Sequence, residues 1–96
     1  MMWYVYLLRC ADDTLYAGCT NDPPRRLQQH NAGQGAKYTR SRRPVSLVYL
    51  EQAGDHGQAL RREAALKRLT RKEKLALIAA APPLPDSLIP TEKKTP

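Results

Sequence analysis

Cysteine is scarce in this 96-residue sequence, and no apolar run approaches the length of a membrane-spanning helix. The two cysteines, Cys10 and Cys19, lack nearby histidines, so a zinc site is disfavoured. The first ten residues lack the charged leader of a secretion signal. We therefore expect a cytoplasmic protein with reduced thiols. Because the sequence shows no lipidation signal and no aromatic-rich basic anchor, we expect no membrane partner.

Acidic residues are also few, since nine Asp and Glu stand against sixteen Lys and Arg, a formal charge of +7. The imbalance is concentrated between residues 21 and 74, where thirteen basic and five acidic residues lie. A polyanion is the simplest partner for such a surface, and nucleic acid is the commonest polyanion. A soluble basic protein without such a partner is the alternative that charge alone leaves open.

The pattern of apolar residues and turn signals predicts one α+β domain over residues 1–80. We expect a small three-stranded sheet, antiparallel or mixed, flanked by helices in the order β-β-α-β-α-α. Strands are expected at about 3–9, 14–20 and 45–51, and helices at about 23–33, 58–69 and 70–80. Thr70 and Glu73 match a capping box at the start of the last helix. Residues 33–44 are expected to form a basic loop. Residues 81–96 contain five prolines and are expected to form a mobile tail.

Two tyrosines in the first two strands raise the question of whether they meet. Side chains alternate along a strand, so the length of the intervening loop decides whether Tyr6 and Tyr16 share a face. A two-residue loop at Asp12 and Asp13 would separate them, whereas a three-residue loop from Ala11 to Asp13 would bring them together. The residues permit both arrangements.

A carboxylate in the fifth predicted element also needs explanation. Glu63 falls within the apolar arc of its helix, where an unpaired charge would be costly. An ion pair with Lys67, four residues later, is one interpretation, and a bound metal ion is the other. Helix geometry alone favours the ion pair.

Several short motifs, taken together, resemble the GIY-YIG nuclease family. The sequences "YVY" at Tyr4–Tyr6 and "YAG" at Tyr16–Gly18 resemble the two halves of its signature, about ten residues apart. The sequence "NDPPRRLQQHN" resembles the first helix of the family, and "ALRREAALKRL" resembles its metal-binding helix. The stretch "GAKYTRSRRPVSLVYLE" is similar to the middle of the small stand-alone bacterial members. The likeness extends over roughly residues 3–80, and the order and spacing of the motifs carry it.

The resemblance implies an endonuclease that hydrolyses phosphodiester bonds, in DNA rather than RNA, with one divalent metal ion, Mg²⁺ or Mn²⁺. A role in DNA repair or recombination follows from the same likeness. The family pattern assigns Tyr6 as the base or water-orienting group and Tyr16 as a ligand of phosphate or water. It assigns Arg26 as a phosphate clamp and Glu63 as the metal ligand. His30, one helical turn after Arg26, is expected either to contact the site or to bond the helix to a loop.

The basic loop supplies candidate nucleic-acid-binding residues, namely Lys37, Tyr38, Arg40, Arg42 and Arg43. Tyr38 is expected to stack on a base, the alternative being that it packs into the core. The phenol of Tyr6 has an ordinary pKa of about 10, too high for a base at neutral pH, so nearby cations must lower it. The metal, Arg26 and Lys37 are the candidate cations.

Three positions depart from the family pattern. Tyr4 replaces the glycine that opens the first motif, Ala17 replaces the middle isoleucine of the second, and no asparagine follows Glu63. The missing asparagine leaves two alternatives to an independent enzyme. One is a nucleic-acid-binding protein with the nuclease fold and little activity. The other is a subunit active only with a protein partner, which would also supply specificity.

Overall fold

The computed structural model describes residues 2–84, which fold as an α+β domain. The elements are β1 (Trp3–Arg9), β2 (Leu15–Thr20), α1 (Pro23–Asn31), α2 (Lys37–Arg40), β3 (Ser46–Gly54), α3 (His56–Lys67) and α4 (Arg71–Ala80). The expected order of strands and helices is confirmed, with α2 added in the segment expected as loop. Most of the expected mobile tail, residues 85–96, lies outside the described residues. Within residues 2–84, no helix combines the length and apolar character that a membrane crossing requires.

The sheet is antiparallel throughout, in the order β2-β1-β3. Four consecutive residues of the central strand β1, Val5–Leu8, are buried, so this strand is covered on both faces. Alternate residues of β1 belong to two separate apolar clusters, one on each face of the sheet. Val5 and Leu7 pack with Ala59 and Leu66 of α3, on the face that α4 also covers. On the other face, Tyr6 and Leu8 pack with Leu27 of α1 and with Val45.

A three-residue loop, Ala11–Asp13, joins β1 to β2. The backbone N–H of Cys10 donates to the carbonyl of Thr14 over 2.9 Å, and the N–H of Asp13 donates back to Cys10 over 2.8 Å. Asp13 adopts a φ of 69°, which short polar side chains tolerate and which is common in three-residue hairpin loops. The resulting register pairs Tyr6 with Gly18 and Leu8 with Tyr16. The loop therefore places both tyrosines on one face of the sheet.

Two of the boundaries that differ from those expected have a direct structural reason. The strand β3 continues to Gly54 instead of ending near residue 51, because Trp3 to Val5 supply pairing partners along the whole edge of β1. The helix α3 begins at His56, two residues early, because Asp55 and Gln58 form a capping box. The expected capping box of Thr70 and Glu73 is confirmed at the start of α4.

The short helix α2 replaces the middle of the expected loop. Its N-cap, Ala36, makes no side-chain capping bond. Instead, the hydroxyl of the fully buried Thr39 donates to the carbonyl of Ala36 over 3.0 Å. Contacts with the core therefore hold this helix, which explains why local sequence signals do not predict it.

Candidate active site

The ring of Tyr6 lies across β2 at the position of Gly18. A Cβ atom at Gly18 would stand 2.5 Å from Cζ of Tyr6 and still nearer its hydroxyl, so any larger residue would collide with the ring. The close contact with the Tyr6 ring therefore explains why glycine ends the "YAG" motif. A glycine within a strand often marks a close approach to the backbone, and the structure shows such an approach at Gly18.

The hydroxyl of Tyr6, which is 3% exposed, contacts two side chains of α1. His30 Nε2 lies 3.0 Å from the Tyr6 oxygen, and the guanidinium of Arg26 is near enough to lower the pKa of the same phenol. Arg26 and His30 are one helical turn apart, so they present their side chains to the same region. The cap of α1 fixes this presentation, since the Asp22 side chain accepts from the backbone N–H of Arg25 over 3.3 Å.

On its far side, His30 contacts α2. His30 Nδ1 lies 2.8 Å from the hydroxyl oxygen of Thr39, and both residues are fully buried. Gly35 makes room for the ring, because a Cβ there would stand 2.7 Å from Cγ of His30 and 2.9 Å from its Cα. Two roles were expected as alternatives for His30, contact with the site and a hydrogen bond from the first helix to the following segment. The structure shows both, since His30 contacts Tyr6 as well as Thr39.

Tyr16 is half-buried at the edge of the same cluster. Its ring stands edge-on to His30 with a centroid distance of 5.7 Å, and it stacks on Tyr38 at 5.5 Å. Tyr38 is 39% exposed, and the guanidinium carbon of Arg42 lies 3.9 Å from its ring centroid. Neither expectation for Tyr38 fully describes this position, because the ring is outside the core yet already stacks on protein groups.

Glu63 reaches the site from α3, around the edge strand β2. Its Oε2 atom lies 2.9 Å from Nζ of Lys67, so the ion pair expected from helix geometry is present. The Glu63 side chain is 17% exposed, and its carboxylate is near enough to the thiol of Cys19 to raise the pKa of that thiol. The ammonium of Lys67 lies 5.7 Å from the ring centroid of Tyr16, which joins the carboxylate to the tyrosine cluster.

Burial dominates the protonation states of the cluster. It raises the pKa of Tyr6 to about 12, and the opposing effect of Arg26 is smaller. Arg26 lowers the Tyr6 pKa as expected, but burial outweighs it in the free protein, and Lys37 is not among the groups that act on this phenol. Burial, reinforced by the charge of Arg26, lowers the pKa of His30 to about 4, so this ring is neutral at pH 7. Burial also raises the pKa of Tyr16.

A divalent ion would find one carboxylate here. Among residues 2–84, no three His, Cys, Asp or Glu side chains cluster as a preformed metal site. Mg²⁺ is commonly held by one or two carboxylates together with waters and substrate phosphates, and Glu63 fits that donor set. The Cys19 thiol beside it is protonated at pH 7, since burial first and the hydrogen bond to Glu63 second raise its pKa to about 12. The fit is therefore to a hard ion held through oxygen.

The basic candidates of residues 37–43 divide into two groups. Lys37 and Arg40 are exposed, and neither forms an ion pair with an acidic residue of the described chain. Arg42 instead pairs with Asp12 over 3.0 Å and donates to the carbonyl of Tyr38 over 2.8 Å. Arg43 donates to the carbonyl of Arg40 over 2.8 Å and to that of Asn31 over 3.4 Å. The second pair therefore holds the segment together.

Sequence reasoning missed two members of the cluster. Thr39 contacts His30 although nothing in "KYTR" marks its hydroxyl as buried, and Cys19 was interpreted only as a packing thiol. The nearest sequence signal for Thr39 was Gly35, because a glycine beside a helix end often accommodates close packing. Cys19 and Tyr16 face opposite sides of β2, so a carboxylate that touches both regions must lie at the strand's outer edge.

The chain is similar to known proteins over most of its length. A family model described as the GIY-YIG catalytic domain matches residues 2–76. A UPF0213 protein of Syntrophus aciditrophicus is 54% identical over 80 residues, covering 82% of this chain and 92% of that protein. A solution NMR structure of a UPF0213 protein from Bacillus halodurans is 42% identical, with a TM-score of 0.53 and coverage of 82% and 84%. A second NMR structure, of a protein from E. faecalis, is 41% identical, with a TM-score of 0.55 and coverage of 82% and 85%. The chain belongs to the GIY-YIG family.

Proposed function

We propose that this GIY-YIG protein is a divalent-metal-dependent endonuclease that hydrolyses phosphodiester bonds in DNA. The observation that carries the proposal is the meeting of Tyr6, Tyr16, Arg26, His30 and Glu63 at one edge of the sheet. These residues come from β1, β2, α1 and α3, and hydrogen bonds, ring contacts or shared electrostatic effects connect them. A purely structural cluster would have no need of a buried neutral histidine, a guanidinium and a carboxylate around two phenols.

The proposed role of Tyr6 is to take a proton from the attacking water. With a pKa of about 12, Tyr6 does not supply a free phenolate at neutral pH. Its hydroxyl proton instead moves to His30 Nε2, 3.0 Å away, as its oxygen receives the proton of the water. The resulting hydroxide attacks phosphorus, and the bond from phosphorus to the leaving oxygen breaks.

The low pKa of His30 in the free protein opposes this proton transfer. We expect substrate binding to raise that pKa. The charge of Arg26 is one of the two causes of the low value. A phosphate clamped by Arg26 would neutralise this charge and place a negative group near the imidazole, and both changes raise the pKa of His30. Tyr16, at the exposed side of the cluster, is placed to hold a phosphate oxygen or the water through its hydroxyl.

Glu63 would hold the metal ion, with waters and phosphate oxygens as the remaining ligands. When bound, a divalent ion stabilises negative charge on the phosphate and on the leaving oxygen. Lys67 occupies one carboxylate oxygen of Glu63 in the free protein. We therefore expect weak metal binding until substrate supplies further ligands and an alternative partner for the ammonium group.

For the nucleic-acid backbone, the exposed cations Lys37 and Arg40 are the proposed contacts. Arg42 and Arg43 are proposed to maintain the shape of this segment, because their donors are already bonded within the protein. Tyr38 would have to exchange its contact with Arg42 for a nucleobase. Both cysteines are free thiols, which is consistent with the proposed cytoplasmic location.

Cleavage of labelled duplex, branched and single-stranded DNA, with Mg²⁺, Mn²⁺ or chelator, tests the proposal. Glu63→Ala should abolish metal-dependent cutting but change DNA binding only a few-fold, because a surface of many cations holds the backbone. If Glu63→Ala cuts as fast as the parent, the carboxylate has only a structural role.

The adjacent arginines of α1 provide a matched pair. Arg26→Ala should lower turnover far more than affinity, because its guanidinium contacts Tyr6. Arg25→Ala, one residue away and exposed, should affect affinity alone. Equal losses of turnover in the two variants would reduce Arg26 to an ordinary phosphate contact. Binding without cutting on every substrate would favour the alternative of a nucleic-acid-binding protein or a partner-dependent subunit, which the occupied state of Glu63 supports.

A further inference from the structure

A chain of hydrogen bonds runs from β1 through α1 to α2. It begins at the Tyr6 hydroxyl, passes both ring nitrogens of His30 and the hydroxyl of Thr39, and ends at the carbonyl of Ala36. Tyr6, His30 and Thr39 are all buried. A neutral imidazole carries its proton on one nitrogen only. The donors along the chain can therefore point in either direction, unless a group at one end fixes which atom donates.

The Ala36 end decides the proton position on Thr39. A carbonyl oxygen only accepts, so the Thr39 hydroxyl, 3.0 Å away, donates its single proton to Ala36. The hydroxyl oxygen then has only lone pairs to offer to His30 Nδ1 at 2.8 Å. Nδ1 must therefore carry the imidazole proton, and Nε2 must be unprotonated.

The Tyr6 end is compatible with the same tautomer. The Tyr6 oxygen lies 3.0 Å from His30 Nε2, and an unprotonated Nε2 can accept the proton of the phenol across this distance. One tautomer therefore satisfies both ring contacts of His30.

We propose that Thr39 is a positioning residue, whose hydroxyl keeps the His30 proton on Nδ1 and thereby keeps Nε2 open to the proton of Tyr6. The catalytic consequence rests on the proposed function, because it concerns the step in which Tyr6 passes a proton to His30. The tautomer itself does not depend on that function. With the other tautomer, Nε2–H would donate to the Tyr6 oxygen and the transfer would be blocked at its first atom.

The short helix α2 gains a role from this arrangement. The N–H of Thr39 also donates to the Ala36 carbonyl, over 3.2 Å, so one turn of backbone holds the hydroxyl in a single orientation. Gly35 allows α2 to lie against the imidazole, since a side chain there would collide with it. The segment therefore serves His30 more directly than it serves the nucleic acid.

Nitrogen-15 NMR of the full chain at pH 7 tests the tautomer directly, because protonated and unprotonated imidazole nitrogens have widely separated shifts. Only two histidines are present, and His56→Gln assigns the His30 signals by elimination. The expected result is a protonated Nδ1 and an unprotonated Nε2 in the parent protein. A protonated Nε2 in the parent would overturn the proposal, whether or not the protein cuts DNA.

Two variants test the role of the hydroxyl. Thr39→Val preserves shape but removes the acceptor of Nδ1–H, so the Nε2–H tautomer should become populated and kcat should fall by about 100-fold, at the lower end of the range of general acid–base effects. KM should stay within a few-fold, and Thr39→Ser should restore both the NMR pattern and kcat. Retention of the parent tautomer and kcat in Thr39→Val would overturn the proposal. If Thr39→Val fails to fold, the parent spectrum and the Thr39→Ser spectrum still test the proposal. Thr39→Ser keeps the hydroxyl and must therefore show the parent tautomer, and a different tautomer would contradict the proposal.

If no variant and no parent preparation cuts DNA, the proposed function fails, while the NMR result still confirms or refutes the tautomer. If the parent cuts DNA with a protonated Nε2, the proposed function stands and the role of Thr39 is wrong. The two failures are thus distinguishable.

Discussion

Acidification should destabilise the protein through His30. The ring is fully buried, and burial together with the charge of Arg26 lowers its pKa from 6.5 to about 4. Between these values the unfolded chain binds a proton that the folded chain does not, so the free energy of unfolding falls as the pH falls. The difference of about 2.5 between the two pKa values corresponds to a loss of about 3 kcal/mol at pH 4 relative to pH 7. Since small domains have total stabilities of about 5–15 kcal/mol, this loss is large.

The measurement is urea unfolding at several pH values between 4 and 7, followed by far-UV circular dichroism. Fluorescence is a poorer probe, because the Trp3 ring stacks on His56 at 3.9 Å and would respond to changes there. Carboxylates also titrate in this range, so the parent is compared with His30→Gln. The free energy of unfolding should change less steeply with pH in this variant, by up to about 1.4 kcal/mol per pH unit. His56→Gln, at an exposed position, is the matched control and should keep the parent's slope. Equal slopes in the parent and His30→Gln would refute the reasoning.

Four further changes should separate the contacts of the site. Lys67→Met should tighten Mn²⁺ binding by the free protein several-fold, because the ammonium 2.9 Å from its partner carboxylate competes with the ion; electron paramagnetic resonance measures this, and unchanged affinity contradicts it. Gly18→Ala should lower the stability by about 1–3 kcal/mol, because its Cβ would collide with Tyr6, and an unchanged Tm would contradict this. Arg42→Ala should lower Tm through its lost ion pair and hydrogen bond. Lys37→Ala should leave Tm unchanged but weaken DNA binding and reduce its salt dependence, and the reverse pattern would contradict this division.

The hairpin shows how far the residues alone lead. Apolar and β-branched residues predict β1 and β2, and the structure bears them out nearly to the residue. The relative facing of Tyr6 and Tyr16 was not predictable in the same way, because it depends on one residue of loop length. Asp13 supplies the left-handed conformation that a three-residue loop requires, in a position where glycine or asparagine would have been a clearer signal.

The segment of α2 shows where local signals end. It has no capping side chain, it follows two glycines, and it is four residues long, so nothing in its own sequence favours a helix. Its conformation depends on a buried threonine hydroxyl and on an imidazole supplied by α1. Contacts between residues distant in sequence determine this segment, and the sequence pattern consequently predicted a basic loop. The bonds that Arg42 and Arg43 form within the protein were equally beyond local signals, and their assignment to nucleic acid stays a prediction.

The carboxylate of Glu63 shows that two interpretations posed as alternatives are compatible. Without a metal ion, a carboxylate that is largely buried needs a cation, and Lys67 at i+4 supplies one. Half of the lysine side chain is exposed, so the ammonium can leave for solvent or for an incoming phosphate without unfolding α3. A carboxylate held by a rigid buried arginine could not be released so readily. The ion pair therefore stabilises the free protein and leaves the site open to a metal that arrives with its substrate. Metal affinity should accordingly rise when a non-cleavable DNA analogue is present, and calorimetry that finds the same affinity with and without DNA would contradict this coupling.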